Sequence, residues 1–379
     1  MLPIHMVDTK GQYAKIRHDV DAAIMDVINS SIFIGGKVVD EFRENLANYN
    51  GSKHVVPCAN GTDALQIAMM AMDLKPGDEV ITPSFTYIAT AEVMALLRLK
   101  PVFVEVDPGT FCVSTEAIEA AISSRTRAIV PVHLFGQAAD MEAIMTLAAK
   151  HNLFVIEDNA QAIGCDYTFS DGTIRKTGSI GTIGCTSFYP SKNLGCFGDG
   201  GAIFTNDDAL AIKLKMIANH GQLTRYYHDV VGCNSRLDAI QAAVLNIKLK
   251  HLEKYNYARR AAADYYDKAF SGIPGISLPF RAPYCSHVFH QYTLLLEDGK
   301  RDGLQNFLSG HGIPSMIYYP VPAHKQKMFD ALELDHFELS ITDDLSRKVI
   351  SLPMHTELTE EHLSYIVNNV SEFLKNKPL

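Results

Sequence analysis

Four short stretches of this sequence set reactive or ligand-binding groups beside turn-forming residues. The first, residues 59–65, reads ANGTDAL. An apolar run ends there, Gly61 permits a tight turn, and Thr62 falls in the first turn of a helix. Free amides at such a helix start bind an anion, ideally a phosphate, although a cap with no ligand accounts for the same residues. The second, residues 155–161, reads VIEDNAQ. Glu157 and Asp158 close an apolar strand, where a buried carboxylate is costly unless paired. A carboxylate so placed serves a metal, a ribose, a protonated ring nitrogen or a structural cap. The third, residues 186–195, reads TSFYPSKNLG. Lys192 lies between an apolar strand and a glycine-rich turn; in that setting desolvation and nearby charge lower an amine's pKa and make it a nucleophile toward carbonyls. The alternative is an exposed turn lysine. The fourth, residues 231–238, reads VGCNSRLD and carries Asn234 and Arg236; a capped helix start near Ala239 explains it equally by spacing.

The elements that must position these groups follow from apolar patterning. Between residues 53 and 205, short apolar runs (55–59, 79–82, 101–106, 127–134, 153–156, 182–188 and 201–205) alternate with helix-period segments such as 62–72 and 141–151. In the former, Leu65, Ala68, Met69 and Met72 share one helical face. Runs that do not alternate in polarity imply strands buried on both sides, hence an α/β domain with a mainly parallel sheet. Such sheets bind ligands beyond the carboxyl ends of their strands, and each of the four stretches is expected directly after a strand. Past residue 245 the pattern changes. Residues 248–270 read as one long helix, 288–296 as a strand, and 359–375 as an amphipathic helix capped by Thr359, with Leu363, Ile366, Val367, Val370 and Leu374 inward. The expected domains are 1–245, a large ligand-binding unit, and 246–379, a smaller α+β unit.

Composition narrows the function. Of 379 residues, 47% are hydrophobic and 20% charged, and the net charge of −9, with no basic run, leaves no footprint for nucleic acid. The seven cysteines show neither CxxC pairs nor zinc-ligand spacing, so reduced cytosolic thiols and no metal centre are expected. With no signal-like amino terminus and no long apolar stretch, a cytoplasmic protein without membrane spans is expected. A dinucleotide enzyme needs a GxGxxG turn that ANGTDA does not supply. One ligand calls for a phosphate cradle, a buried carboxylate, a strand-end lysine and a polar loop together: pyridoxal phosphate.

Over essentially its whole length the sequence also resembles the DegT/DnrJ/EryC1/StrS family of sugar aminotransferases, most strongly in ANGTDAL, EDNAQAIG, SFYPSKNLG, GDGGAIFTND and NSRLDAIQAA. It is most similar to the branch acting on UDP-linked 3-keto hexuronic acids. The resemblance implies fold type I (aspartate-aminotransferase-like) and a homodimer with a composite active site. It implies that Lys192 forms the Schiff base with the cofactor and acts as general acid and base. Asp158 then pairs with the pyridine nitrogen, Gln161 lies against the ring or its 3′ oxygen, and Tyr87 stacks on the ring face unless it is a core aromatic. Gly61, Thr62 and the Ser187 hydroxyl hold the phosphate, joined by Asn234 from the other subunit. Arg236 meets a sugar carboxylate or diphosphate, or else pairs with Asp238. Members of the branch often carry His-Tyr-Pro where this chain has Tyr318, Tyr319 and Pro320, which removes an imidazole from the substrate side. His133, His220 and His324 are candidates for substrate contact, with a structural role the preferred reading for each. The implied reaction is glutamate-dependent amination of a nucleotide sugar, at C3 of UDP-2-acetamido-3-keto-glucuronic acid, for surface polysaccharide. Amination of a 4-keto-6-deoxy sugar is the alternative. A non-catalytic sugar-nucleotide binder is disfavoured by the presence of both Lys192 and Asp158, and a dehydratase by lysine rather than histidine at 192.

Overall fold

The computed structural model describes residues 3–297, 299–332, 334 and 337–375. Its centre is a seven-stranded sheet built from β1 (His54–Cys58), β2 (Glu79–Pro83), β3 (Lys100–Val104), β4 (Thr126–Ile129), β5 (Phe154–Asp158), β8 (Ile183–Ser187) and β9 (Gly201–Thr205). The order is β1-β9-β8-β5-β4-β2-β3, and β9 alone runs against the others. A two-stranded hairpin, β6 (Asp166–Thr168) and β7 (Ile174–Lys176), leaves the sheet between β5 and β8. Neighbouring residues of one strand enter different cores: Val80, Ala128 and Ile156 pack with the helix Gly61–Ala71, while Ile81, Ile129 and Val155 pack with the helix Met141–His151. Both faces are therefore apolar, which is why the strands read as continuous rather than alternating runs.

A second, antiparallel sheet, β10 (Ile276–Ser277), β11 (Tyr292–Leu296) and β12 (Val349–Leu352), packs against the helices Leu252–Phe270, Arg301–Gly310 and Glu360–Lys375. Thr359 caps the last of these by accepting from the His362 amide at 3.2 Å, and Leu363, Ile366 and Val370 are buried as expected. No helix among the described residues is long and apolar enough to cross a membrane.

Three elements differ from expectation. The long helix over 248–270 is two, Ala239–Leu249 and Leu252–Phe270. Lys248, which charge alone places outside, is buried and donates from Nζ to the Gly195 carbonyl at 2.5 Å, while Leu249 and Leu252 enter one core across the bend. The expected strand 288–296 begins only at Tyr292, because Val288 and Gln291 donate their amides to Gly136 and Phe135 instead of to a neighbouring strand. The apolar run 127–134 leaves β4 at Ile129 and ends in a short 3₁₀ turn, Leu134–Gly136.

Since β1, β2, β5 and β8 run parallel, their carboxyl ends share one edge of the sheet. The helix Gly61–Ala71 starts at that edge and lies so near the sheet that a Cβ on Gly201 would sit 2.4 Å from the Asn60 carbonyl oxygen. A Gly201→Ala substitution must push the helix start off β9, and urea unfolding is expected to show a loss of about 1–3 kcal/mol.

Candidate active site

The edge is assembled from four loops. Asn60 caps the helix Gly61–Ala71, its Oδ1 accepting from the Asp63 amide at 2.8 Å. That leaves the amides of Gly61 and Thr62, for which the helix itself offers no acceptor. A Cβ on Gly61 would lie 2.7 Å from Ser187 Cβ, so only glycine lets the helix start close on the end of β8. The helix start and the Ser187 hydroxyl thus lie side by side, which is the donor chemistry of a phosphate site.

At the end of β5 the two carboxylates divide. Glu157 is fully buried and accepts from His133 Nε2 (2.9 Å) and from the amides of Gly178 (2.7 Å), Ile180 (2.7 Å) and Gly181 (2.6 Å). Burial alone raises a carboxyl pKa; His133 and the amides outweigh it and hold Glu157 below its ordinary value. His133 Nδ1 accepts from the Ala139 amide at 3.1 Å, so the imidazole is a neutral tautomer with its proton on Nε2. Its role is structural. Asp158, also buried, has a different set of partners. Oδ1 accepts from the Ala160 amide (3.1 Å) and Oδ2 from the Thr90 hydroxyl (2.8 Å), leaving lone pairs for a ligand.

Lys192 sits in the loop after β8, partly screened from solvent. Burial lowers its pKa from 10.5 to about 8, against the opposing pull of the Asp158 charge. Its neighbour Asn193 is clamped, Nδ2 donating to Asn256 Oδ1 (2.8 Å) and to the Val288 carbonyl (2.9 Å). An amine of this kind is a nucleophile toward an aldehyde near neutral pH.

Around this pair, Gln161 accepts from the Phe135 amide (2.8 Å) and donates from Nε2 to the Tyr319 hydroxyl (3.0 Å). The Tyr319 ring centroid lies 6.2 Å from that of Tyr87 and 5.9 Å from that of Tyr318. Burial raises the pKa of both tyrosines of that pair, 318 and 319. Tyr87 is 56% exposed and is no core aromatic. The fourth stretch departs from expectation: it follows the helix Asp208–Ala218 and its loop, not a strand. Along it exposure alternates, with Asn234, Arg236 and Asp238 outward and Ser235, Leu237 and Ala239 inward. Ser235 Oγ ties it to the first motif by accepting from the Ala59 amide at 3.0 Å, while Arg236 Nη2 donates to Asn234 Oδ1 at 2.6 Å on the outer side. The structure thus gathers the phosphate-type cradle, Asp158, Lys192, Gln161, Tyr87 and Tyr319 at one edge, and leaves Asn234 and Arg236 on the surface. His220 is exposed, and His324 Nδ1 lies 2.7 Å from Ser84 Oγ.

Sequence reasoning missed Thr90. Its signal was available: in SFTYIATAE it follows Tyr87 by three residues, one helical turn. It also missed His290, a buried imidazole beside Lys192 whose pKa falls well below normal through burial and the neighbouring charges of Lys192 and Arg259.

Fold and edge chemistry define a pyridoxal-phosphate enzyme of the aspartate-aminotransferase type. The sequence profile of the DegT/DnrJ/EryC1/StrS aminotransferase family matches residues 14–371, and the chain belongs to that family. It is 44% identical over 363 residues to the UDP-2-acetamido-2-deoxy-3-oxo-D-glucuronate aminotransferase of Pseudomonas aeruginosa, covering 96% of this chain and 98% of the relative. It is 43% identical over 375 residues to a protein of Geobacillus stearothermophilus named pleiotropic regulatory protein, covering 98% and 99% of the two. The crystal structure of S. venezuelae DesV in complex with a ketimine intermediate matches with a TM-score of 0.95 and 39% identity over 100% of both chains.

Two measurements test this geometry. In the cofactor-free protein, trapping of pyridoxal phosphate on Lys192 by borohydride, read by mass spectrometry, should reach half its maximal rate near pH 8, because the amine is free base only above its lowered pKa. A Glu157→Gln protein presents an amide nitrogen to donors that need an acceptor, and should unfold in urea with a loss of about 3 kcal/mol.

Proposed function

We propose that this chain transfers the amino group of L-glutamate to the keto carbon of a nucleotide sugar, C3 of UDP-2-acetamido-3-keto-glucuronic acid. The observation that carries the reading is the placement of Lys192 and Asp158 at one sheet edge, beside amides and a hydroxyl suited to a phosphate. The choice of sugar is supported by the likeness to the Pseudomonas enzyme along nearly the full length of both chains.

Bound there, pyridoxal phosphate supplies an electron sink for the charge left when a carbon gives up its proton. Gly61, Thr62 and Ser187 would hold the phosphate and Asp158 the ring nitrogen, with Tyr87 and Gln161 as the further residues of the cofactor site. Lys192 Nζ would anchor the cofactor and, when free, would take up a proton as base and return it as acid. L-glutamate would be the amino donor, its amino group kept by the cofactor and 2-oxoglutarate released before the keto sugar binds. The enzyme acts as a cytoplasmic homodimer supplying amino sugars for surface polysaccharide such as O-antigen. The outward Asn234 and Arg236 support a composite site: in the dimer they reach the other subunit's cofactor phosphate and the sugar's carboxylate or diphosphate. Tyr318 and Tyr319 line the sugar side.

The test is the visible absorption of the cofactor-loaded protein. L-glutamate should bleach the band, and the UDP-3-keto-uronic acid should restore it faster than a dTDP-4-keto-6-deoxy sugar does; the reverse preference selects the 4-keto alternative. Lys192→Ala should lose both the band and turnover, and full turnover in that variant refutes the reading. Mixing inactive Lys192→Ala with inactive Arg236→Ala subunits should recover up to about one quarter of native activity, since random pairing leaves one intact site in half of the dimers. No recovery places Arg236 within its own subunit's site.

A further inference from the structure

Asp158 is held by a residue that neither the motifs nor the family likeness single out. Thr90 is wholly buried in the first turn of the helix Ala89–Leu96, and its Oγ1 lies 2.8 Å from Asp158 Oδ2. The same oxygen is 3.3 Å from the Tyr87 carbonyl and 3.3 Å from Thr86 Oγ1. A hydroxyl has one proton to give. The shortest contact is to the carboxylate, the strongest acceptor of the three, so the proton goes to Asp158, and Thr86 is free to donate to Thr90 in turn. The main chain at Asp158 is fixed as well: its amide donates to the Pro131 carbonyl (2.9 Å), and its carbonyl accepts from the His133 amide (3.0 Å).

We propose that Thr90 is a positioning residue for Asp158, its hydroxyl fixing that carboxylate in the orientation that meets the proton on the cofactor's ring nitrogen. This rests on the reading above that Asp158 faces that nitrogen. Donors to a carboxylate favour its charged form. With the Ala160 amide on Oδ1 and Thr90 on Oδ2, the carboxylate is held in one orientation and each oxygen keeps one lone pair for the ring N–H. Thr90 also links this setting to Tyr87, whose carbonyl accepts from the Thr90 amide (3.4 Å). The ring-face residue and the carboxylate are thereby fixed by one helical turn.

The experiment compares Thr90→Val, Thr90→Ser and Asp158→Asn with the native protein, each loaded with cofactor labelled with nitrogen-15 in the ring. Magnetic resonance reads protonation of that nitrogen directly, and the pH midpoint of the visible band is measured alongside. Thr90→Val should move the nitrogen signal toward the unprotonated value, raise the pH midpoint, and lower kcat roughly tenfold, the effect of one lost hydrogen bond to a charged group, with KM little changed. Thr90→Ser, which restores the hydroxyl, should bring the signal and midpoint back toward the native values. If Thr90→Val does not fold, Thr90→Ala is read in the same way. Native-like signal and midpoint in the valine variant, with Asp158→Asn displaced, overturn the role of Thr90 and leave that of Asp158 standing. Native-like values in Asp158→Asn refute the placement of Asp158 itself.

Discussion

Two consecutive carboxylates at the end of β5 are the constraint around which the site is arranged. Adjacent residues of a strand point to opposite faces, so Glu157 and Asp158 cannot share a partner. Glu157 faces inward and would be prohibitively expensive there without compensation. The fold provides it by wrapping the turn before β8 back over the strand, so that three amides and the His133 imidazole converge on one side chain. That turn is possible because Gly178 adopts a positive φ and Gly184 comes so near it that a Cβ would lie 2.0 Å from the Gly178 oxygen. With Glu157 satisfied, the end of β5 is fixed, and Asp158 is held on a defined base.

The same logic of one face anchored and one face offered recurs in the segment from Asn234 to Asp238. Ser235 and Leu237 tie it to the body of the protein, and Asn234 and Arg236 are displayed outward. Neither residue is used up by the chain's own core, and their mutual hydrogen bond keeps the guanidinium in a defined place. In the dimer proposed above, this display is what makes two cofactor sites depend on one another.

Much of the chemistry was legible because it rests on residue types with few alternative uses. A lysine after an apolar strand and before several glycines, and an acidic pair closing a strand, are costly arrangements that a fold does not keep without a partner. The large sheet was legible for a similar reason, since two-sided burial leaves unbroken apolar runs such as EVITP and GAIFT. What escaped was decided by tertiary context. The charge pattern of Lys248 gave no hint that its ammonium is buried against Gly195, and so the bend between two helices read as one continuous helix. The run at Val288 was claimed by the Phe135–Gly136 turn, a pairing between segments far apart in sequence. Thr90 resembles any threonine in a helix until Asp158 is placed beside it.

The clamp on Asn193 has a consequence for how Lys192 works. The residue next to the lysine is bolted through one amide group to the helix Leu252–Phe270 and to the segment entering the second sheet. The lysine's backbone therefore has little freedom to travel. In the function proposed above, its Nζ would cover the distance between holding the cofactor and handling a proton by torsion about its own methylene bonds. Lys192 behaves as a flexible tether on a fixed post, its working radius limited by the length of one side chain.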